Sequence, residues 1–322
     1  MSAGRVITTD LVERVAALEA SVESVIRGKP EAVRLAVTCL LARGHLLIED
    51  VPGVGKTTLA HTLARSLDSQ FQRIQFTSDM LPSDVVGVTI FNSTREDFEF
   101  KPGPVFTNFL LADEINRTTP KTQSALLEAM NERQVTIEGR SYELPDPFMV
   151  IATQNPVEYH GTYPLPESQL DRFLLRIEMG YPDASSEREI LRNQRHGANH
   201  QADVTPVASG ADVIEMQQQA EQVRVEETVV DYLMAIVERT RTHEHLALGV
   251  SPRGSMALYR AAQALALTEG LTYVTPDHIK RLVLPVFGHR LMANGRQAPG
   301  GSLAGSCAPI LEEILHSVPV PI

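Results

Sequence analysis

The segment Ile48-Glu49-Asp50-Val51-Pro52-Gly53-Val54-Gly55-Lys56-Thr57-Thr58 limits this chain more than any other stretch. An apolar run from Gly44 to Ile48 reads as a strand, the Pro/Gly-rich residues after it as a turn, and Thr57 to Arg65 as a helix. Such a unit aims backbone N–H groups at a polyphosphate, and only small residues let the backbone come close enough. Gly53 and Gly55, with Val54 between them, supply that approach. Lys56 is placed to reach the outer phosphates as a point charge, the Thr57 hydroxyl to ligate Mg²⁺, and Thr58 to continue the helix start. The strict pattern opens on Gly where this chain has Asp50, but its Gly-x-Gly-Lys-Thr half is intact. The expected ligands are ATP and Mg²⁺.

Hydrolysis needs more than a cradle: a metal holder, a residue that activates water, and positive charge for the transition state. Asn108-Phe109-Leu110-Leu111-Ala112 is a buried-strand run ended by Asp113 and Glu114. Acids at the carboxyl end of a parallel strand stand where open α/β sheets bind ligands. Asp113 suits Mg²⁺ coordination through water, and Glu114 suits polarising the attacking water. Asn155 follows the next buried run, Phe148 to Thr153, and can hold that water; a turn-forming Asn before Pro156 is the plain alternative. Arg172 and Arg253 are the charge candidates, with structural ion pairs as their alternative. Arg253 falls in the first turn of a helix, where the dipole disfavours a cation, which suits a phosphate partner.

Around these motifs the pattern is α/β. Helical spacing covers Leu11 to Ile26, Glu31 to Ala42 and Lys121 to Asn131, and Phe71 to Phe76 reads as a strand. Residues 87–104 read as an insert of loop and short strands, Val135 to Leu144 as a β-hairpin, and Leu170 to Met179 contains a further strand. Apolar strands alternating with helices predict a mainly parallel sheet sandwiched by helices. Beyond Tyr181-Pro182 the β signal stops. Helical segments follow near 186–194, 211–222, 226–241, 251–268 and 275–286, two of them opening on Ser251-Pro252 and Thr275-Pro276. The expected division is a nucleotide-binding core at 1–181 and a smaller all-helical lid at 182–322, with a linker at 199–210 and a mobile small-residue tail at 293–306.

A formal net charge of −11 argues against broad attraction to nucleic acid. Cys39 and Cys307 have no metal-ligand spacing and read as two reduced thiols. Met1 to Asp10 has no apolar signal core and no run is long enough for a membrane span, so a cytoplasmic protein is expected. His243 and His245 do not share a helix face, Gly197 breaks the spacing of His196 and His200, and Met216 reads as packing.

Assembled, these residues resemble the MoxR family of AAA+ ATPases across nearly the whole chain. The resemblance is carried by Val51 to Thr57, Leu111-Ala112-Asp113-Glu114-Ile115-Asn116-Arg117, Ala152-Thr153-Gln154-Asn155-Pro156, Leu170-Asp171-Arg172-Phe173 and Ser251-Pro252-Arg253, with Val25 to Lys29 at its start. It implies that Lys56 and Thr57 are Walker A, Asp113 and Glu114 Walker B, and Asn155 sensor 1. It implies further that Arg172 is an arginine finger reaching a neighbouring subunit, and that Arg253 is sensor 2, in its own site or a neighbour's. Arg117 and Arg133 are rivals for contacts across that interface. The insert and the hairpin would face a central pore. The family implies a ring, commonly a hexamer, and a chaperone-like ATPase acting on a protein client, often with a von Willebrand factor A domain protein. An ATP-gated scaffold without turnover and a nucleic-acid motor, the latter kept open by Arg140 on the hairpin, are the competing readings.

Overall fold

The computed structural model describes residues 9–156, 161–188, 204–294 and 303–321. Its centre is a five-stranded parallel sheet. In chain order these strands and their neighbours are α1 (Thr9–Val25), α2 (Pro30–Leu41), β1 (Leu46–Glu49), α3 (Lys56–Ser66), β2 (Phe71–Gln75) and α4 (Pro82–Val86). Then come β3 (Gly87–Asn92), β4 (Asp97–Pro102), β5 (Phe109–Asp113), α5 (Pro120–Glu132), β6 (Gln134–Ile137), β7 (Arg140–Glu143), β8 (Met149–Gln154), α6 (Glu167–Leu170) and β9 (Leu175–Ile177). The sheet order is β2-β5-β8-β1-β9. β1 therefore sits between β8 and β9, and β5 between β2 and β8.

Side chains alternate across a strand with period two, so a sheet covered on both faces needs apolar residues at every position. β5 shows it: Phe109 and Leu111 pack into the core with α1, α2 and α3, whereas Leu110 and Ala112 join the core built on α5. Leu46 and Ile48 of β1 likewise face the first core and Leu47 the second. β2 is an edge strand with polar residues at Gln72, Arg73 and Gln75.

Residues 87–102 form the antiparallel hairpin β3–β4, and 134–143 the hairpin β6–β7. The two meet where Phe100 packs on Tyr142, ring centroids 4.2 Å apart. The helical region contains α7 (Gly210–Ala220), α8 (Glu227–Thr242), α9 (Pro252–Thr268), α10 (Pro276–Phe287) and α11 (Leu303–Ser317). α9 packs on α2, α7, α8 and α10. Its N-cap Ser251 accepts from the Gly254 amide, and Pro252 fills the first helical turn, as the pattern predicts.

Two expectations need correction. β structure does not stop at residue 182, because β10 (Leu246–Leu248) pairs antiparallel with β11 (Met292–Ala293), a two-stranded ladder too short to leave a periodic signal. The last residues of the expected tail, 303–306, instead open α11, which buries Cys307, Leu311 and Ile314 along one side, with Val318 buried just past its end. Most of the remaining tail, the linker at 199–203, His196 and His200 lie outside the described residues. Met216 is fully buried, and both cysteines are buried and not joined in a disulfide. No described helix is long and apolar enough to cross a membrane.

Candidate nucleotide site

The loop after β1 turns through Gly53 (φ 86°) and Gly55 (φ 96°), a backbone region that side-chain-bearing residues rarely adopt. A Cβ on Gly53 would meet nothing within 4 Å, so the backbone conformation and not crowding demands glycine there. α3 begins directly at Lys56, leaving its first N–H groups free of intrahelical partners. Together the loop and the helix start line a cleft of about 390 Å³ with Thr57, Thr58, Asp113, Glu114, Arg73 and Gln75.

Asp50 replaces the expected glycine with a clamp. Its Oδ2 accepts from the backbone N–H groups of Met179 (2.7 Å) and Gly180 (2.6 Å), and its Oδ1 from Val51 (2.8 Å). The loop is thereby tied to the chain leaving β9. Replacing Asp50 by Ala strands these amides, and charged hydrogen bonds of this kind are worth about 1.5–3 kcal/mol each. Urea unfolding of Asp50→Ala is expected to show a lower midpoint with an unchanged slope.

Lys56 donates to the Asp50 carbonyl at 2.7 Å. Burial pushes its ammonium below the usual lysine value, while Asp113, Asp50 and Glu114 act in the other direction. Asp113 closes β5: its Oδ1 accepts from the Thr153 hydroxyl (2.5 Å) and its Oδ2 from Arg73 (2.6 Å). Glu114 has left-handed backbone (φ 56°), which turns its side chain away from that of Asp113. Its Oε2 accepts from Gln75 (2.8 Å) and is paired with Arg117 (2.9 Å). Asn155 stands one residue beyond β8, the strand between those carrying Asp113 and the loop. The preceding Gln154 donates to the buried Glu49, itself paired with Arg176 of β9.

Arg172 and Arg253 are elsewhere. They line a second pocket of about 250 Å³ together with Arg43, Arg133, Arg260 and Arg290, with Asp171 the one acidic residue among its described lining. That pocket includes Gly44 and His45, at the amino end of β1. His45 and Asp50 bracket this strand and are roughly 16 Å apart at about 3.3 Å per residue. The sheet thus separates the two arginines from their own phosphate loop. Of the rivals, Arg117 is engaged with Glu114 and Arg133 belongs to the arginine pocket.

Two features were not anticipated from the sequence. Arg73 and Gln75 reach Asp113 and Glu114 from the edge strand β2, and their only signal is polarity at strand positions. A further pocket of about 280 Å³ lies against Gly53 and Gly55, walled by Val25, Ile26, Val54, Met179 and Pro182.

A family model described as the ATPase family associated with various cellular activities (AAA) matches residues 45–175, and an AAA lid domain model matches residues 238–305. The Bacillus subtilis (strain 168) uncharacterized protein YeaC is 49% identical over 94% of this chain and 93% of its own length. Chaperone MoxR1 of Mycobacterium tuberculosis is 41% identical over 93% of this chain and 80% of its own, and Protein MoxR of Methylorubrum extorquens 31% over 89% and 90%. A crystal structure from Cytophaga hutchinsonii, described as a candidate ATPase, aligns with a TM-score of 0.88 at 38% identity over 97% of this chain and 96% of that one.

Proposed function

Since the chain belongs to the MoxR family of AAA+ ATPases, we propose that it hydrolyses Mg-ATP in the cytoplasm, within a ring whose active sites are completed by a neighbouring copy. The observation that carries this reading is the division of the charged residues: Lys56, Asp113 and Glu114 share one cleft, and Arg172 and Arg253 share a pocket at the other, amino end of β1. A finger and a sensor placed there would serve an adjoining subunit's nucleotide. On this reading residues 1–181 are the core, 182–322 the lid, and both Arg172 and Arg253 act in trans.

Gly53, Val54, Gly55, Lys56, Thr57 and Thr58 hold the phosphates, and the pocket walled by Val25, Ile26 and Met179 takes the base. The hydroxyl of Thr57 and the carboxylate of Asp113 are an oxygen donor set of the kind that suits Mg²⁺, with Asp113 acting through water. The ion, when bound, neutralises charge on the phosphate oxygens. Glu114 draws a proton from the attacking water, Asn155 orients that water, and the neighbour's Arg172 and Arg253 meet the charge that develops on the γ-phosphate. Gln75 and Arg117 hold Glu114 in the structure, so Glu114 has to exchange a partner before it can serve as the base.

The work done by hydrolysis is proposed to be remodelling of a protein client, in concert with a von Willebrand factor A domain protein. Support comes from the chaperone name of the mycobacterial relative and from Phe91 and Phe98, which pack edge-on at the β3–β4 hairpin while 57% and 65% exposed. The occupied carboxylate of Glu114 also favours a second reading, an ATP-gated scaffold that binds without turnover.

Lys56→Ala tests the site itself. It is expected to weaken binding of a fluorescent ATP analogue at least about tenfold, by loss of a charged contact worth about 1.5–3 kcal/mol, and to abolish turnover. Unchanged binding would remove the phosphate loop from the account.

A further inference from the structure

Arg172 is aimed by its surroundings more than by its own bonds. Its Nη1 donates to the Leu127 carbonyl at 2.6 Å, and its Nε is buried without a partner. The segment that carries it, 171–174, is held from the helical region. Arg290 lies just beyond α10 and is 4% exposed. It donates from Nε to Asp171 Oδ1 (2.8 Å) and from Nη2 to the carbonyls of Phe173 (2.5 Å) and Asp171 (3.3 Å). Its Nη1 donates to the Leu174 carbonyl (3.2 Å) and to that of Val286.

The other oxygen of Asp171 faces the start of α9. Ser251 Oγ donates to Oδ2 at 3.2 Å, and Arg253 Nη1 stands 3.8 Å from it. One carboxylate therefore gathers Arg290, Arg253 and the α9 cap beside Arg172. Burial lowers the Arg290 guanidinium to about 10, with Asp171 working against that shift. A buried ion pair is seldom the cheapest way to fill a core, and its attested use is to fix one arrangement among several. Here the fork of Arg290 is filled by backbone carbonyls of the very segment bearing Arg172. Neither side can move without the other.

We infer that Arg290 and Asp171 are a positioning pair that sets the aim of Arg172 and Arg253 toward the phosphates bound by an adjoining copy, and so makes the helical region of one subunit control hydrolysis in the next. This rests on the reading that Arg172 acts in trans. Neither residue lines the cleft around Lys56, which distinguishes the pair from the residues of that cleft.

Subunit mixing tests it, with Arg172→Ala as the reference. A Glu114→Gln subunit has a dead site but an intact arginine pocket; a subunit defective only in aim has the reverse. Asp171→Asn is expected to bind a fluorescent ATP analogue within about twofold of the unaltered chain and to lose turnover about 10- to 100-fold, the scale of a small misplacement. Mixed with Glu114→Gln it should regain turnover, as Arg172→Ala should. Arg290→Lys, which keeps the charge and loses the fork, should behave alike; if it does not fold, Asp171→Asn carries the test. Unaltered turnover in Asp171→Asn, weakened binding at its own site, or no recovery in a mixture where Arg172→Ala recovers would overturn the inference. If Arg172→Ala itself fails to recover, the trans reading falls first and this inference with it.

Discussion

Replacing Glu114 by Gln is expected to cut ATP turnover about 10²- to 10⁴-fold, the usual worth of a positioned general base, while leaving ATP bound. The amide keeps the size of the side chain and can still hydrogen-bond Gln75, so the cleft should hold its shape. It cannot take a proton from water. On the proposed reading binding depends instead on Lys56 and the glycine loop, which the substitution does not touch. Single-turnover and equilibrium binding measurements separate the two effects. Equal turnover in Glu114→Gln and the unaltered chain would favour the scaffold reading, in which the carboxylate is a structural partner of Gln75 and Arg117.

Arg172→Ala is expected to lose about 10³-fold or more in turnover, as the removal of an arginine finger does, with ATP affinity at its own site nearly intact. The reason is geometric. Arg172 shares its pocket with Arg253 at the amino end of β1, away from the glycine loop, so its removal leaves the cleft of its own subunit unaltered. A loss of own-site binding comparable to the loss of turnover would place Arg172 in the binding machinery of its own chain, against the distance set by β1. Stability gives a control: Arg172 donates a hydrogen bond to the Leu127 carbonyl, and the typical net worth of such a bond is about 0.5–1.5 kcal/mol.

Much of the fold was legible because its signals are local. The strand, glycine turn and helix at 44–65 are specified by residues next to each other, and β1, β5 and β8 by short apolar runs that a doubly covered parallel sheet requires. The end of β5 at Asp113 and Glu114 could be located from its apolar run, its candidate chemistry only with the glycine loop upstream, and the β6–β7 hairpin from alternating residues around a turn, whereas 87–104 gave only loop and short strands. What stayed hidden depends on approach between distant segments. Nothing near Arg73 or Gln75 in the sequence says that β2 will lie beside β5 and bring them to Asp113 and Glu114. The function of Asp50 is visible only once Met179 and Gly180 arrive from β9, and the arginine pocket only once α9 and the chain beyond α10 close on 171–174. α11 had a local signal in Cys307, Leu311, Ile314 and Val318, masked by the small residues before it and by Pro309 within the helix.

The central claim is that each active site is shared between two copies of the chain. Steady-state ATP hydrolysis with Mg²⁺, measured per subunit across protein concentration alongside the mass of the assembly, tests it most directly. The account predicts a rate that rises as the oligomer forms and then levels off. A per-subunit rate that is the same in the monomer and the assembly would contradict it.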